Sequence, residues 1–290
     1  MSKILLLGAS GYIGSYFHEE LLRRGVDLVT LSRQEVDYCN FNQLRQYISQ
    51  NLKGNVGFLI NAAGYTGKPN VDICEVEKAE TIEGNLLLPQ IISILSAMEG
   101  FHWLQVGTGC IYDGDNGGSG YTEDDVPNFT FENQNCSFYS GVKAVAEKLV
   151  KDDPRCYIAR LRIPFNNVDS PRNYITKLLS YEKTYDNMNS LSHIDDYVNA
   201  CIGLHEGKCP TGIYNITNEG SVRTREVVEM ITEILKPNKN FIFFDNDEEF
   251  NRTVSTPRSN CVLDVGKIKR AGFPMRSVKD ALRDTLENWK

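Results

Sequence analysis

The chain has 290 residues, of which 41% are hydrophobic and 24% charged, with a net charge of −7. These are globular values, and an acidic chain with scattered Lys and Arg repels a phosphate backbone, which excludes a nucleic-acid partner. No apolar run approaches the roughly 18 residues of a membrane-spanning helix, and Met1-Ser2-Lys3 leads straight into a strand pattern, so neither a membrane partner nor a signal peptide is expected.

Taken in chain order, Lys3 to Gly8 is a short β-type run followed by a glycine turn and a helical pattern from Tyr12 to Arg24. Val26 to Leu31 reads as a second strand, Phe41 to Leu52 as a helix and Val56 to Asn61 as a third strand. Glu75 to Met98 carries one long helix or two consecutive ones, and Phe101 to Val106 a fourth strand. This alternation with short connections predicts an α/β fold, a doubly wound parallel sheet covered on both faces. From Gly107 to Cys136 the texture changes to Gly, Asn, Asp and Ser without periodicity, as in a long functional loop. A helix from Ser137 to Asp152 and a strand from Arg155 to Arg162 resume the pattern. From Pro164 onward the elements shorten, prolines punctuate them, and a final helix spans Val278 to Trp289. The expected division is a nucleotide-binding domain over 1–163, with a smaller substrate-binding lobe over 164–290 interleaved with the end of the sheet.

Eight cysteines without a CxxC pair read as separate reduced thiols, as in the cytoplasm. Four histidines without HxH or HxxxH spacing give no zinc pattern, and no metal is expected.

Gly8-Ala9-Ser10-Gly11-Tyr12-Ile13-Gly14 is a G-x-x-G-x-x-G turn directly between a strand and a helix. Its glycines allow a tight turn and close approach to a pyrophosphate, while the helix N-terminus supplies N–H donors and the positive end of a dipole. The end of the second strand reads Leu31-Ser32-Arg33, with no acid to bond a ribose 2′-hydroxyl. NADPH is therefore expected over NADH, with Arg33 as partner of the 2′-phosphate and Asp37 near the adenine. Asn61-Ala62-Ala63-Gly64 closes the third strand beside the glycine turn.

Tyr139 and Lys143 stand four apart on a predicted helix and so share a face. An ammonium beside a phenol favours the phenolate, which makes the tyrosine a competent acid towards an alkoxide as hydride arrives. Thr108, just past the fourth strand, offers a hydroxyl to polarise the carbonyl.

These residues resemble the extended short-chain dehydrogenase/reductase superfamily. Asn61 to Asp72, Gly107 to Tyr112, Pro171 to Lys177, Thr211 to Asn218 and Pro257 to Asp264 resemble one subgroup, the bifunctional UDP-4-keto-6-deoxy-D-glucose 3,5-epimerase/4-reductase that makes UDP-L-rhamnose. The resemblance implies a Rossmann core, a C-terminal sugar-nucleotide lobe and an NADPH-dependent final step. It also implies epimerase roles for Cys110 and Lys183. A 4-keto group acidifies C3 and C5, and inversion there needs a base on one face and an acid on the other. Ordinary thiols and amines titrate at about 8.5 and 10.4, so such a site is expected to tune one or both towards neutrality. Thr108 and Tyr139, which polarise the ketone, would also stabilise the enolate. Arg258 and Asn173 are the expected partners of the substrate diphosphate and sugar. His193 reads as a structural histidine and is not placed in the site.

The resemblance further implies a homodimer through the Tyr139 helix and its neighbour. The subgroup is often fused behind a 4,6-dehydratase, and 290 residues leave no room for one, so the substrate is expected from a separate enzyme. Phe131 to Cys136 reads as a small insertion ahead of the Tyr139 helix. Two other functions compete: a plain 4-ketoreductase similar to dTDP-4-dehydrorhamnose reductase, which needs neither Cys110 nor Lys183, and an NADPH-binding regulatory subunit without turnover.

Overall fold

The computed structural model describes residues 2–68 and 70–290, so Met1 and Pro69, the latter inside the Asn61–Asp72 motif, lie outside the described residues. The described residues form two compact units, each assembled from several chain segments.

The first unit takes residues 2–108, 137–160 and 201–214. Its sheet is built from β1 (Lys3–Leu7), β2 (Leu28–Leu31), β3 (Val56–Asn61), β4 (His102–Thr108), β5 (Cys156–Leu161) and β6 (Gly212–Asn215), in the order 6-5-4-3-1-2. β1 pairs in parallel with β2 and with β3, and β3 with β4. Leu5, Leu6, Leu7, Leu59, Ile60 and Leu104 are wholly buried, the near-continuous apolar runs of strands covered on both faces. The order reverses between β1 and β3, the switch point outside whose carboxyl edge open α/β sheets bind ligands.

Helices cover this sheet by spacing their apolar side chains. Tyr12–Arg23 buries Gly14, Phe17 and Leu21 at helical intervals. The expected helix at 41–52 is α-helical only over Phe41–Gln46, capped by Asn40 accepting from Gln43 N–H, and widens into a π turn over Tyr47–Asn51. The expected helix at 75–98 starts late, at Lys78, and contains a π turn over Glu83–Leu87. By length and apolarity this 22-residue run, Lys78–Glu99, could cross a membrane, contrary to the expectation that no segment qualifies. Leu88, Ile92 and Leu95 explain the apolarity, because all three are wholly buried in the core with Trp103 and Ile158.

The second unit takes residues 109–136, 161–200 and 215–290. The boundary therefore departs from the expected cut at 163. Residues 109–136 leave the first unit, whereas 201–214 return to it. The long loop is ordered by pairing rather than periodicity. Gly114 bridges Cys261, Tyr121 bridges Leu263, and the Tyr112 and Tyr121 rings stack 4.5 Å apart. The core of this unit gathers Phe165, Ile175, Leu178 and Val222 with two amphipathic helices. Thr224–Leu235 contributes Val227, Val228 and Ile231, and Val278–Glu287 contributes Ala281, Leu282 and Leu286. Each of the Val, Leu and Ile side chains among these, fully buried, contributes about 1.5–3 kcal/mol.

Candidate active site

In the first unit the glycine turn closes on itself. Gly8 holds φ +79°, and a Cβ there would stand 2.6 Å from the Ala63 nitrogen at the end of β3. A Cβ on Gly14 would stand 1.9 Å from the Gly8 carbonyl oxygen. Two of the three glycines are thus dictated by space. Gly11 N-caps the following helix without a side chain, so the first N–H groups of that helix keep their donors for an anion. Ser10 and Gly11 are exposed, while Ile13 is part-buried on the helix that follows. The Tyr12 hydroxyl is buried without a hydrogen-bond partner, and burial pushes its pKa well up.

Asn61 is wholly buried; its side chain donates to Gln105 Oε1 at 2.8 Å and accepts from Ala63 N–H at 3.2 Å. These two bonds brace the Ala62-Ala63 loop. Ser32 and Arg33 end β2. Arg33 Nη2 meets Glu83 Oε2 at 2.5 Å, and Nε faces Asp37 Oδ1 across 3.6 Å. Glu83 first, partly opposed by burial, raises the Arg33 pKa.

Tyr139 and Lys143 lie on the helix Phe138–Val150, N-capped by Ser137 accepting from Ser140 N–H. The Phe138 N–H donates to Glu75 Oε1 at 2.7 Å, which fixes where that helix begins. Lys143 is buried and donates from Nζ to the Val106 carbonyl at 3.1 Å. Thr108, Gly107, Gln105 and Lys143 line one pocket of this unit.

In the second unit Cys110 has a partner that the sequence did not announce. Arg162 is buried, and its Nη1 donates to Cys110 Sγ at 2.8 Å. Its Nε and Nη2 donate to Asn189 Oδ1, at 3.1 and 2.6 Å, and Nη2 also to the Ser259 carbonyl. A guanidinium only donates, so the sulfur is the acceptor. Burial works against the charge on Arg162, and the nearby Cys110 and Cys261 outweigh it, so its pKa stands above the ordinary value. Ile163, directly after it, holds φ +39°, a region a β-branched residue rarely enters and one that costs of order 1–3 kcal/mol. Nothing in the spacing of Arg162 marked it; an arginine at the end of an apolar strand was the available sign, and Arg160 two residues earlier offers the same one.

The match of the chain to the family model "RmlD substrate binding domain" runs over residues 2–290. The chain belongs to this family. An Arabidopsis thaliana relative, "Bifunctional dTDP-4-dehydrorhamnose 3,5-epimerase/dTDP-4-dehydrorhamnose reductase", is 34% identical over 96% of this chain and 90% of its own length. The crystal structure of the L780 UDP-rhamnose synthase from Acanthamoeba polyphaga mimivirus superposes with a TM-score of 0.90 at 26% identity, covering 99% of each chain. A Bacillus anthracis dTDP-4-dehydrorhamnose reductase, solved with NADP, shares the Rossmann-type fold, with a TM-score of 0.82 at 19% identity over 99% and 98% of the two chains.

For this RmlD-family chain, three expected substrate-side residues fare differently. Lys183 is 40% exposed and pairs with Glu249, which raises its pKa. That is opposite to the lowering that an amine base would need. Asn173 is wholly buried; it accepts from Ile175 N–H and donates to the Asn166 carbonyl at 2.7 Å and the Val168 carbonyl at 2.8 Å. Its side chain N-caps Tyr174–Ser180. Arg258 sits with Arg172 near Lys177, whose pKa is lowered first by burial and then by those two arginines. Such a concentration of cations in one place suits an anion, and Arg172 and Lys177 are additions to the expected set. His193 is buried, and its Nδ1 has no hydrogen-bond partner.

Proposed function

We propose that this chain converts UDP-4-keto-6-deoxy-D-glucose to UDP-L-rhamnose, inverting C3 and C5 and then reducing the C4 ketone with NADPH. Membership of the RmlD family supports the reductase half. The buried Arg162–Cys110 contact carries the epimerase half, because a ketoreductase has no use for a buried cation aimed at a thiol.

The residues fit the cofactor: a glycine cradle that side chains would fill, an uncapped helix N-terminus and an arginine at the end of β2. Bound there, NADPH supplies the hydride. Gly8, Ser10, Gly11, Tyr12, Ile13 and Gly14 form its pyrophosphate turn, and the Ala62-Ala63 backbone packs beside it. Thr108 donates to the ketone oxygen. Tyr139 gives the proton that turns the alkoxide into an alcohol, and Lys143 favours the tyrosinate left behind. In the inversion, Cys110 takes the proton from the carbon next to the ketone, with Arg162 as its counter-charge. Lys183, kept as an ammonium by Glu249, returns a proton on the other face. Arg258 binds the diphosphate.

The exposure of Lys183 favours a second reading, the 4-ketoreductase alone. Product analysis by proton NMR separates the two. The chain is given NADPH and the 4-keto sugar, made in place by a separate 4,6-dehydratase. L-rhamno couplings with consumption of NADPH support the bifunctional reading, and a sugar still in the D series leaves only the reductase. NADPH bound without turnover supports the regulatory alternative. One relative is named for a dTDP sugar and another for a UDP sugar, so kcat/KM for both nucleotides settles the base.

A homodimer and a cytoplasmic setting complete the proposal. Leu87, Ile94 and Met98 on Lys78–Glu99, and Val145 and Leu149 on its neighbour Phe138–Val150, are large, apolar and exposed, as an interface between two copies requires. Light scattering of the native chain and of Ile94→Glu checks this; a monomeric native chain rejects it. No disulfide joins the described cysteines, in keeping with a reducing compartment.

A further inference from the structure

The donors at the end of β2 are already filled by carboxylates. Ser32 donates from its backbone N–H and from its hydroxyl to a single oxygen, Glu35 Oε2, at 2.9 and 2.6 Å. Arg33 donates to Glu83 Oε2 at 2.5 Å. A backbone N–H, a hydroxyl and a guanidinium on two successive residues are the donors a phosphate monoester takes. Here two acidic side chains from separate places hold them, Glu35 in the turn that follows β2 and Glu83 in the long helix. The two hydrogen bonds from Ser32 hold the Glu35 carboxyl below the usual range, so it is an anion at neutral pH.

We propose that Glu35 and Glu83 are specificity-determining residues, internal anions that occupy the subsite of the NADPH 2′-phosphate and must be displaced by it. The inference rests on reading Ser32 and Arg33 as the 2′-phosphate donors.

The consequence is a selective penalty. The Arg33 and Glu83 side chains are 44% and 37% exposed, and a pair so exposed is weak and exchanges readily. A phosphate dianion can therefore replace each carboxylate. It nevertheless arrives among negative charges that remain close by. The carboxylates of Asp37 and Glu83 both face the Arg33 guanidinium, at 3.6 and 2.5 Å. A neutral ribose 2′-hydroxyl meets no such opposition. The acids thus weaken NADPH without weakening NADH, and hold the preference between the two below what Arg33 alone would give.

Calorimetric titration of the full chain with 2′,5′-ADP and with 5′-AMP isolates the 2′-phosphate. Glu83→Gln and Glu35→Gln are each expected to tighten 2′,5′-ADP by about twofold to fivefold, the scale of an exposed pair, and to leave 5′-AMP unchanged. Arg33→Ala is expected to weaken 2′,5′-ADP by about tenfold or more relative to 5′-AMP. If Arg33→Ala behaves so and both glutamine variants bind 2′,5′-ADP no more tightly than the native chain, the proposal is overturned and the NADPH reading survives. If Arg33→Ala leaves 2′,5′-ADP unchanged, the reading of Arg33 fails and the proposal fails with it.

Discussion

The first unit repeats one plan of strand, turn and helix, and its candidate residues sit where that plan puts them: at strand ends and on the first turns of helices. The second unit has no repeated plan. Its candidates sit on a long loop held by two bridges, on a two-residue strand, and on the Arg162 turn with its strained Ile163. Chemistry in the first unit is thus tied to backbone geometry. In the second it is tied to long-range side-chain contacts, with Arg162 reaching Cys110, Asn189 and Ser259 at once.

Substitutions can sharpen or break this contrast. The largest effect is expected from Tyr139→Phe, which should cut ketone reduction by about 10²–10⁴-fold with an unchanged circular-dichroism spectrum. Reduction at the native rate would remove the tyrosine from the mechanism. Next come Cys110→Ala and Arg162→Lys. Both should abolish deuterium uptake from D₂O at C3 and C5 of the keto sugar, while reduction of an already inverted sugar continues. Persistent uptake in Cys110→Ala rejects the thiol as the base, and uptake at the native rate in Arg162→Lys rejects the fork geometry of the guanidinium, though not the positive charge that lysine keeps, as what holds the thiol.

Gly14→Ala tests the geometry of the first unit. With a Cβ 1.9 Å from the Gly8 carbonyl, the turn must open, at a cost of about 1–3 kcal/mol. The melting temperature and NADPH binding should fall together; a drop in neither would show the cradle to be pliable. Asn173→Ala tests the second unit. Loss of a buried cap should cost about 1–3 kcal/mol in urea unfolding with the substrate KM nearly unchanged. A raised KM with native stability would return Asn173 to the substrate.

The smallest effect concerns His205, stacked on Phe58 at 3.8 Å, with a pKa lowered to about 4, first by burial and then by His102. Because the folded value is depressed, the unfolded chain takes the proton first. The stability present above pH 6.5 is lost as pH falls towards 4. His205→Phe keeps a stacked ring and should flatten the acid side of the stability profile in that window. An acid limb identical to that of the native chain would clear His205 of the effect.

The Gly8 turn, the helix that carries Tyr139 and Lys143, and all five strands expected up to Arg162 were legible in the sequence, because backbone requirements and local periodicity leave a short-range trace. The return of residues 201–214 to the first unit was not, since periodicity says nothing about which sheet a segment joins. The internal partners of Asn173 and Asn61 were hidden for a related reason. A sequence shows a polar residue at a helix start or strand end, and only the fold shows which groups it bonds.

Composition, the order of strands and helices, and the spacing of Gly8, Gly11 and Gly14 and of Tyr139 and Lys143 were fixed by the sequence alone, since each depends on neighbours a few residues away. The tertiary structure decided which charge meets which: Arg162 with Cys110, Lys183 with Glu249, Arg33 with Glu83. These partners lie 52, 66 and 50 residues apart, and a pairing at that distance exists only once the chain has folded.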